Sequence, residues 1–284
     1  MAIEFSHILT LLYFVVPLLL TGVISGFLAG LLGVGGGIVI VPILAYLLEV
    51  SGIHTTTPMH VAVGTSLAII VPTSIISARS HFRLGNVDFQ LIKQLGPSVF
   101  VGAFGGAILA SYLDNNALKI IFGSLAVLIG ISFMVRVIVL RHGLPSILPR
   151  TFIGSAIGLI SSLVGIGGGS LTVPTLATCG WDMRRAVGTS SLMGLVIAIP
   201  GMVSFMIVGF ASNVDISYGI GFVWLPGALI ISFAAYFVTP FGAMYSSKIN
   251  QSQLRRIFAI FLIIVGARLA ISGYLSGGML VFGG

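Results

Sequence analysis

Charge is what this sequence most lacks. Asp and Glu together number 6 and Lys and Arg 13 among 284 residues, so charged side chains make up 7% of the chain against 57% hydrophobic. A soluble domain carries about a quarter charged residues. With a mean hydropathy of +1.18, this chain is instead an all-α polytopic membrane protein. Its apolar runs are too long and continuous for a membrane barrel, whose strands alternate over about ten residues. Carboxylates are too few to supply the paired acids of a hydrolase, and no nucleophile lies beside a base. An enzyme is therefore not expected, nor any cofactor. Cysteine is nearly absent too, and the single Cys179 excludes a disulfide framework or a cysteine metal cluster. The histidines, at 7, 54, 60, 81 and 142, fall near segment ends without a ligand spacing and are expected to be interfacial. The net charge of +7 does not point to nucleic acid, because Lys and Arg are confined to short connections, where they orient spans. The first apolar run lacks a basic leader and far exceeds a signal-peptide core, so cleavage is not expected.

Glycine, by contrast, is plentiful, with 38 residues, and one glycine-rich stretch occurs twice. Gly33-Val34-Gly35-Gly36-Gly37 runs to Val41-Pro42, and Gly165-Ile166-Gly167-Gly168-Gly169 runs to Val173-Pro174, at a constant offset of 132 residues. The first copy lies in a run from Ile8 to Leu48 without Asp, Glu, Lys or Arg. As one helix those 41 residues would reach roughly 60 Å, twice the bilayer core. The run must break, and consecutive glycines are the place. Unwound backbone at membrane depth is tolerated only where protein buries it or where it lines a wet cavity. Matching breaks in two halves of a chain mark a transporter's binding site.

Ten apolar segments follow, five per half. They are Ile8 to Leu32, Gly37 to Leu48, Val61 to Ala78, Leu91 to Tyr112 and Leu118 to Leu140; then Ile147 to Val164, Gly169 to Thr178, Ala186 to Phe210, Ile216 to Tyr245 and Leu254 to Leu275. The second of each half is shorter than the ~20 residues needed to span, as expected of a half-helix in a hairpin with its predecessor. Val63-Gly64-Thr65-Ser66 recurs as Val187-Gly188-Thr189-Ser190, and Asn116 to Phe122 resembles Ser252 to Phe258. Residues 1–143 thus read as one transmembrane repeat and 144–284 as a second.

An odd number of crossings per repeat inverts the second relative to the first. Arg79, Arg83 and Lys93 cluster after segment three, whereas the equivalent connection after segment eight holds Asn213 and Asp215 without Lys or Arg. The loop with Glu49 and His54 lacks Lys and Arg, while its counterpart has Arg184 and Arg185. Arg136, Arg141 and Arg150 in the central loop, and Lys248, Arg255 and Arg256 before the last segment, complete the pattern. All four clusters share one side if both termini lie outside the cytoplasm.

The glycine breaks place helix N-termini near Ile38 and Ser170, where backbone amides and the helix dipole favour a small anion. The candidate substrate-binding residues are Gly35, Gly36, Gly37, Gly167, Gly168, Gly169 and Ser170, with positive φ expected at Gly36 and Gly168. Close helix packing is the alternative role for such glycines. The hydroxyls of Thr65, Ser66, Thr189 and Ser190 either donate to the anion or bond back to their own helices. Arg268 is the basic residue deepest within a span, and is either an anion partner or an anchor that snorkels to the outer surface. Arg136, Gln90 and Gln94 are weaker candidates. No Lys-Ser or Lys-Thr follows the glycines, which excludes a P-loop, and Ile38 and Ser170 occupy the final glycine of a dinucleotide fingerprint.

The doubled glycine motif with its following proline, the Val-Gly-Thr-Ser elements and the length resemble the sulfite exporter TauE/SafE family, also called the toluene sulfonate uptake permease family, over essentially the whole chain. The resemblance implies a bacterial inner-membrane carrier for sulfur-containing anions such as sulfite, sulfoacetate, thiosulfate or aryl sulfonates. Its partners are then a small anionic substrate and membrane lipid, with self-association into a homo-oligomer left open. A secondary exporter is the leading reading; an anion channel, or an uptake permease for thiosulfate or sulfonates, is the alternative. Reporter fusions after Arg83 and after Asp215 are expected to signal opposite sides of the membrane. A signal from the same compartment at both sites rules out the inverted arrangement.

Overall fold

The computed structural model describes residues 2–50, 55–135, 139, 142–214, 216–246 and 251–281, without the side chains of residues 2–13, 251, 252, 254, 255 and 277–281. His7 (its side chain), His54, Arg136, Arg141, Asp215, Lys248 and Arg255 (its side chain) therefore lie outside the described residues. Ten helices form among the described residues: α1 (Ala2–Leu32), α2 (Gly37–Val50), α3 (Pro58–Arg83), α4 (Phe89–Ser111), α5 (Asn115–Met134), α6 (Ile147–Leu163), α7 (Gly169–Thr178), α8 (Met183–Ala211), α9 (Leu225–Tyr245) and α10 (Gln251–Val281). Among the described residues seven helical stretches are long and apolar enough to cross a membrane, while α2 and α6 are shorter. Large apolar side chains such as Leu148, Phe152, Leu229 and Phe233 stand exposed around the outside, where lipid rather than water would meet them.

The helices begin where the chain supplies caps. Asp88, Asp114 and Asp182 precede α4, α5 and α8, and each carboxylate accepts from amides of the first turn. The ninth apolar segment departs from expectation. Its first residues form a two-stranded antiparallel turn, β1 (Gly219–Ile220) and β2 (Val223–Trp224), so α9 starts only at Leu225. Tyr218 and Gly221 take positive φ, which no helix accepts, and Pro226 fits a helix's first turn.

Glycine positions record how the helices lie. Gly22, Gly26 and Gly30 of α1 face Ile231, Ala235 and Thr239 of α9 in ascending order, so these two run parallel. Gly154 and Gly158 of α6 face Ser98 and Val99 of α4 in the same sense. α5 and α10 run antiparallel, Gly123 against Gly266 and Gly273 against Asn116. α3 and α8 cross the middle antiparallel, with Ser74 against Gly194 and Leu67 against Gly201, and α3 is the most buried of the candidate spans. Such small-residue contacts let backbones approach closely where lipid supplies no hydrophobic drive between helices.

The short second helices fold back. α7 returns toward the start of α6, where the Cys179 carbonyl accepts from the Gly143 amide at 2.9 Å. α2 returns toward the start of α5, where Glu49 pairs with Lys119. Each glycine-broken pair is thus a hairpin entering and leaving on one side, and α3–α5 and α8–α10 make three traverses each. Arg79, Arg83, Lys93, Arg150, Arg184, Arg185 and Arg256 gather at the end of the bundle where α3 stops and α4, α6, α8 and α10 begin; there Arg150 donates to Gln94 at 3.2 Å. Gln90 is exposed near the same end.

A Cβ at Gly158 would collide with the Val99 carbonyl oxygen, whereas at Gly105 it would meet nothing within 4 Å. Gly158→Ala should cost about 1–3 kcal/mol and lower the melting temperature of the purified protein. Gly105→Ala should leave it within about 0.5 kcal/mol of the parent or raise it slightly.

Candidate functional site

α1 stops at Leu32 and α6 at Leu163 because the residues that follow leave helical φ. Gly33, Gly35 and Gly36 take φ of 66°, 74° and 76°, and Gly165 takes 68°. Gly168 does not: its φ is −53°, an ordinary helical value, and it caps α7. The expectation of positive φ at both Gly36 and Gly168 is thus corrected for the second: in this break only Gly165 takes positive φ, although α7 begins at the position equivalent to the start of α2. Any residue could adopt Gly168's backbone angles, so its glycine is required by space: a Cβ would lie 3.0 Å from the Gly194 amide nitrogen and 3.2 Å from Ile197.

The two breaks meet. A Cβ on Gly35 would sit 3.2 Å from Gly167 Cα, and one on Gly167 would sit 3.0 Å from Gly35 Cα. Gly37 at the start of α2 lies on the Gly165 carbonyl, and Gly169 at the start of α7 on the Gly33 carbonyl. Every residue of both breaks is buried. The N-terminal ends of two helices are therefore held together in the interior, on unwound backbone.

The Thr-Ser pairs link one half of the chain to the other. Ser66 Oγ donates to the Gly165 carbonyl at 2.8 Å, and Ser190 Oγ reaches the Gly33 carbonyl at 3.5 Å while donating to Val187 at 2.9 Å. Thr65 Oγ1 accepts from the Trp224 amide at 2.9 Å, and Thr189 Oγ1 from the Asp88 amide at 3.0 Å. Gly64 and Gly188, just before, admit the Phe222 and Asn86 carbonyls, which a Cβ would approach to 2.6 and 2.5 Å. All four hydroxyls thus have partners within the protein; Ser190 bonds back to its own helix, and the others bond across the halves.

Ser170 Oγ has no partner, and neither do the buried hydroxyls of Ser74, Ser161, Ser162, Thr172 and Ser204. Two of these end α6 and two begin α7, and Ser74 stands against Gly194, which itself adjoins Gly168. Ile38 occupies the place in α2 that Ser170 has in α7, so polar capacity concentrates on the second break. Arg268 is not brought to the breaks. Its guanidinium carbon lies 5.4 Å from the centroid of the Tyr46 ring on α2, on an exposed flank near the end of the bundle opposite the basic clusters.

Sequence reasoning missed a second feature. A cavity of about 590 Å³ opens on that opposite end, lined by Thr55, Thr56, Thr57, His60, Ser111 and Asn213 among others, with Phe222 at its base. His60 and His81, expected at the interface, are buried: His60 Nε2 lies 3.0 Å from the Ala110 carbonyl and His81 Nε2 lies 2.9 Å from that of Gly30. The one local signal was the Thr55-Thr56-Thr57-Pro58 run, which starts α3 and puts His60 in its first turn.

An all-α bundle of apolar spans holding two buried glycine breaks together defines a polytopic membrane transporter, not an enzyme. The chain belongs to the TauE/SafE sulfite exporter family, whose model matches residues 18–269. It is 36% identical over 254 residues to a "Probable membrane transporter protein" of Haemophilus influenzae, covering 89% of this chain and 96% of that one. It is 31% identical over 273 residues to one of Methanocaldococcus jannaschii, covering 93% and 97% of the two chains. Against the Bacillus subtilis protein YunE, of the same description, the identity is 30% over 286 residues, with 92% and 99% covered. No solved structure matches the chain.

Replacing Thr65 or Thr189 by Val removes the acceptor of a buried or part-buried backbone amide. Each change should cost about 1–3 kcal/mol, whereas the matching Ser variants should cost less. Thermal melts of the four purified variants check this.

Proposed function

We propose that the chain is a secondary transporter, acting as an exporter, of small sulfur-containing anions such as sulfite or organosulfonates. Residues 1–143 and 144–284 act as inverted repeats that rock about an anion site at the two glycine breaks. The observation that carries this reading is the meeting of Gly35 with Gly167, beside the N-termini of α2 and α7, among buried hydroxyls without partners. Helix N-termini attract anions, and an unpaired buried hydroxyl costs free energy until a ligand or water satisfies it. The site draws on Gly35, Gly36, Gly37, Gly167, Gly168, Gly169 and Ser170. Thr65, Ser66, Thr189 and Ser190 support it from behind, tying the breaks to the opposite half. Arg268, stacked on Tyr46, serves in this reading as an anchor near the outer surface. The concentration of Lys and Arg at one end supports a bacterial inner-membrane setting with that end cytoplasmic and both termini periplasmic.

Proteoliposomes loaded and assayed with sulfite, thiosulfate, sulfate and small organosulfonates test the reading. Saturable flux, accelerated by substrate on the far side, is expected; conductance far above carrier turnover would mean a channel. Gly168→Ala has no φ penalty but sets a Cβ 3.0 Å from the Gly194 amide nitrogen, so it should weaken substrate binding and lower the melting temperature as α7 shifts to make room. Gly36→Ala should weaken binding and also lose about 1–2 kcal/mol of stability to backbone strain. Unchanged dissociation constants in both variants would sink the shared site.

A further inference from the structure

The cavity above Phe222 has a lining suited to oxyanions and one group whose chemistry is unfinished. Thr56, Thr57, Ser212 and Asn213 offer hydroxyl and amide groups, the Ser111 hydroxyl donates to the Ile108 carbonyl, and among the described residues no lining side chain is a carboxylate. His60 is 3% exposed at its floor. A carbonyl only accepts, so the contact with Ala110 places a proton on Nε2. Nδ1 is then a buried lone pair that no donor among the described residues reaches; Thr57 Oγ1 is likewise without a partner among them. The ring stacks on Phe222 at 5.2 Å, and Phe222 meets Phe205 edge-on at 6.1 Å. These rings separate the cavity from Thr65 and the glycine breaks below.

The groups facing His60 decide what a proton on Nδ1 would meet. From the α4 end come Ala110 and Ser111, and from the α8 end and the turn before α9 come Ser212, Asn213 and Phe222, none of them ionisable. From the α4–α5 connection come the Leu113 carbonyl and Asp114, whose charge acts on the ring while its carboxylate accepts from the Ala117 amide at 2.8 Å. Among the described residues Asp114 is thus the one counter-charge that a second ring proton would meet, and the polar cavity beside the ring has room for another.

We propose that this cavity is the outward-facing access site for a small oxyanion, and that the anion binds together with a proton on His60 Nδ1, which makes transport proton-linked. The anion adds a second negative charge beside the imidazolium, and the imidazolium supplies the charge that the hydroxyls lack. Each therefore raises the affinity for the other by the same factor. Carboxylates are scarce in this chain, and among the described residues His60 is the buried titratable group that touches the cavity. The proposal rests on the transporter reading but uses residues distinct from the glycine breaks.

Calorimetry on the purified protein tests it, in buffers of different ionisation enthalpy, with sulfate, thiosulfate and methanesulfonate, which stay unprotonated near neutral pH. Wild type should bind at least one of them with uptake of about one proton, and its dissociation constant should fall by up to about tenfold per unit as the pH is lowered from roughly 8 to 6. His60→Gln keeps an N–H donor for Ala110 but cannot hold a charge; its binding should lose both proton uptake and pH dependence. Ser212→Trp, at the exposed rim, should fill the cavity and weaken binding more than tenfold at an unchanged melting temperature. This second variant decides the matter if His60→Gln does not fold. Binding by wild type without proton uptake, undiminished uptake in His60→Gln, undiminished binding in Ser212→Trp or no binding of any of the three anions overturns the proposal. Saturable but pH-independent flux in proteoliposomes would overturn it and leave the transporter reading intact, whereas proton-linked binding without flux would overturn the transporter reading instead.

Discussion

Backbone groups inside a bilayer have no water to bond, and a chain that unwinds there must satisfy them with protein. Two buried glycine breaks are the point of greatest exposure to this rule, and the structure meets it in part with serine hydroxyls, while the breaks themselves pack closely against each other. Gly37 lies on the Gly165 carbonyl and Gly169 on that of Gly33, while Ser66 and Ser190 reach the same two carbonyls from α3 and α8. Neither break is satisfied alone. The central antiparallel pair α3 and α8 is consequently obligatory, because it carries the hydroxyls that reach the breaks.

The same economy of space explains where glycine is found. α4 with α6, α1 with α9 and α5 with α10 all bring a glycine Cα against a carbonyl of the partner helix, so van der Waals contact between backbones replaces the missing hydrophobic drive. Hydrophobic burial still operates at the polar ends, where the loop around Phe222 folds inward over α3. That loop gives the end opposite the basic clusters a seal of aromatic rings, whereas at the basic end the Asn86 carbonyl meets Gly188 and the Phe82 and Phe89 rings beside it are exposed. The two halves share a backbone plan and differ in what they place on it.

This difference bears on function. Ser170 at the start of α7 faces no partner, and its counterpart Ile38 at the start of α2 is apolar and buried. A site built from two similar breaks need not bind symmetrically, and an anion would find most of its hydrogen-bond donors on the second one. The Thr65–Trp224 and Thr189–Asp88 bonds lie on opposite sides of the crossing of α3 and α8, and each joins the two halves of the chain.

The sequence by itself determined the spans, the two breaks, the shortness of α2 and α7, and the gathering of basic residues at one end. Each of these depends on local hydrophobicity, chain length or the absence of a Cβ, which a stretch of twenty residues displays. It did not determine the turn at 219–224, because an apolar run reads as helix until the φ of Tyr218 and Gly221 intervenes. Only tertiary structure decided the remainder: that Thr65 and Thr189 receive amides from the other half, that His60 is buried beneath a polar cavity, and that Arg268 rests on Tyr46 instead of the breaks. These outcomes depend on groups far apart in the chain, and a hydroxyl, an imidazole or a guanidinium carries no mark of which partner the fold will bring to it.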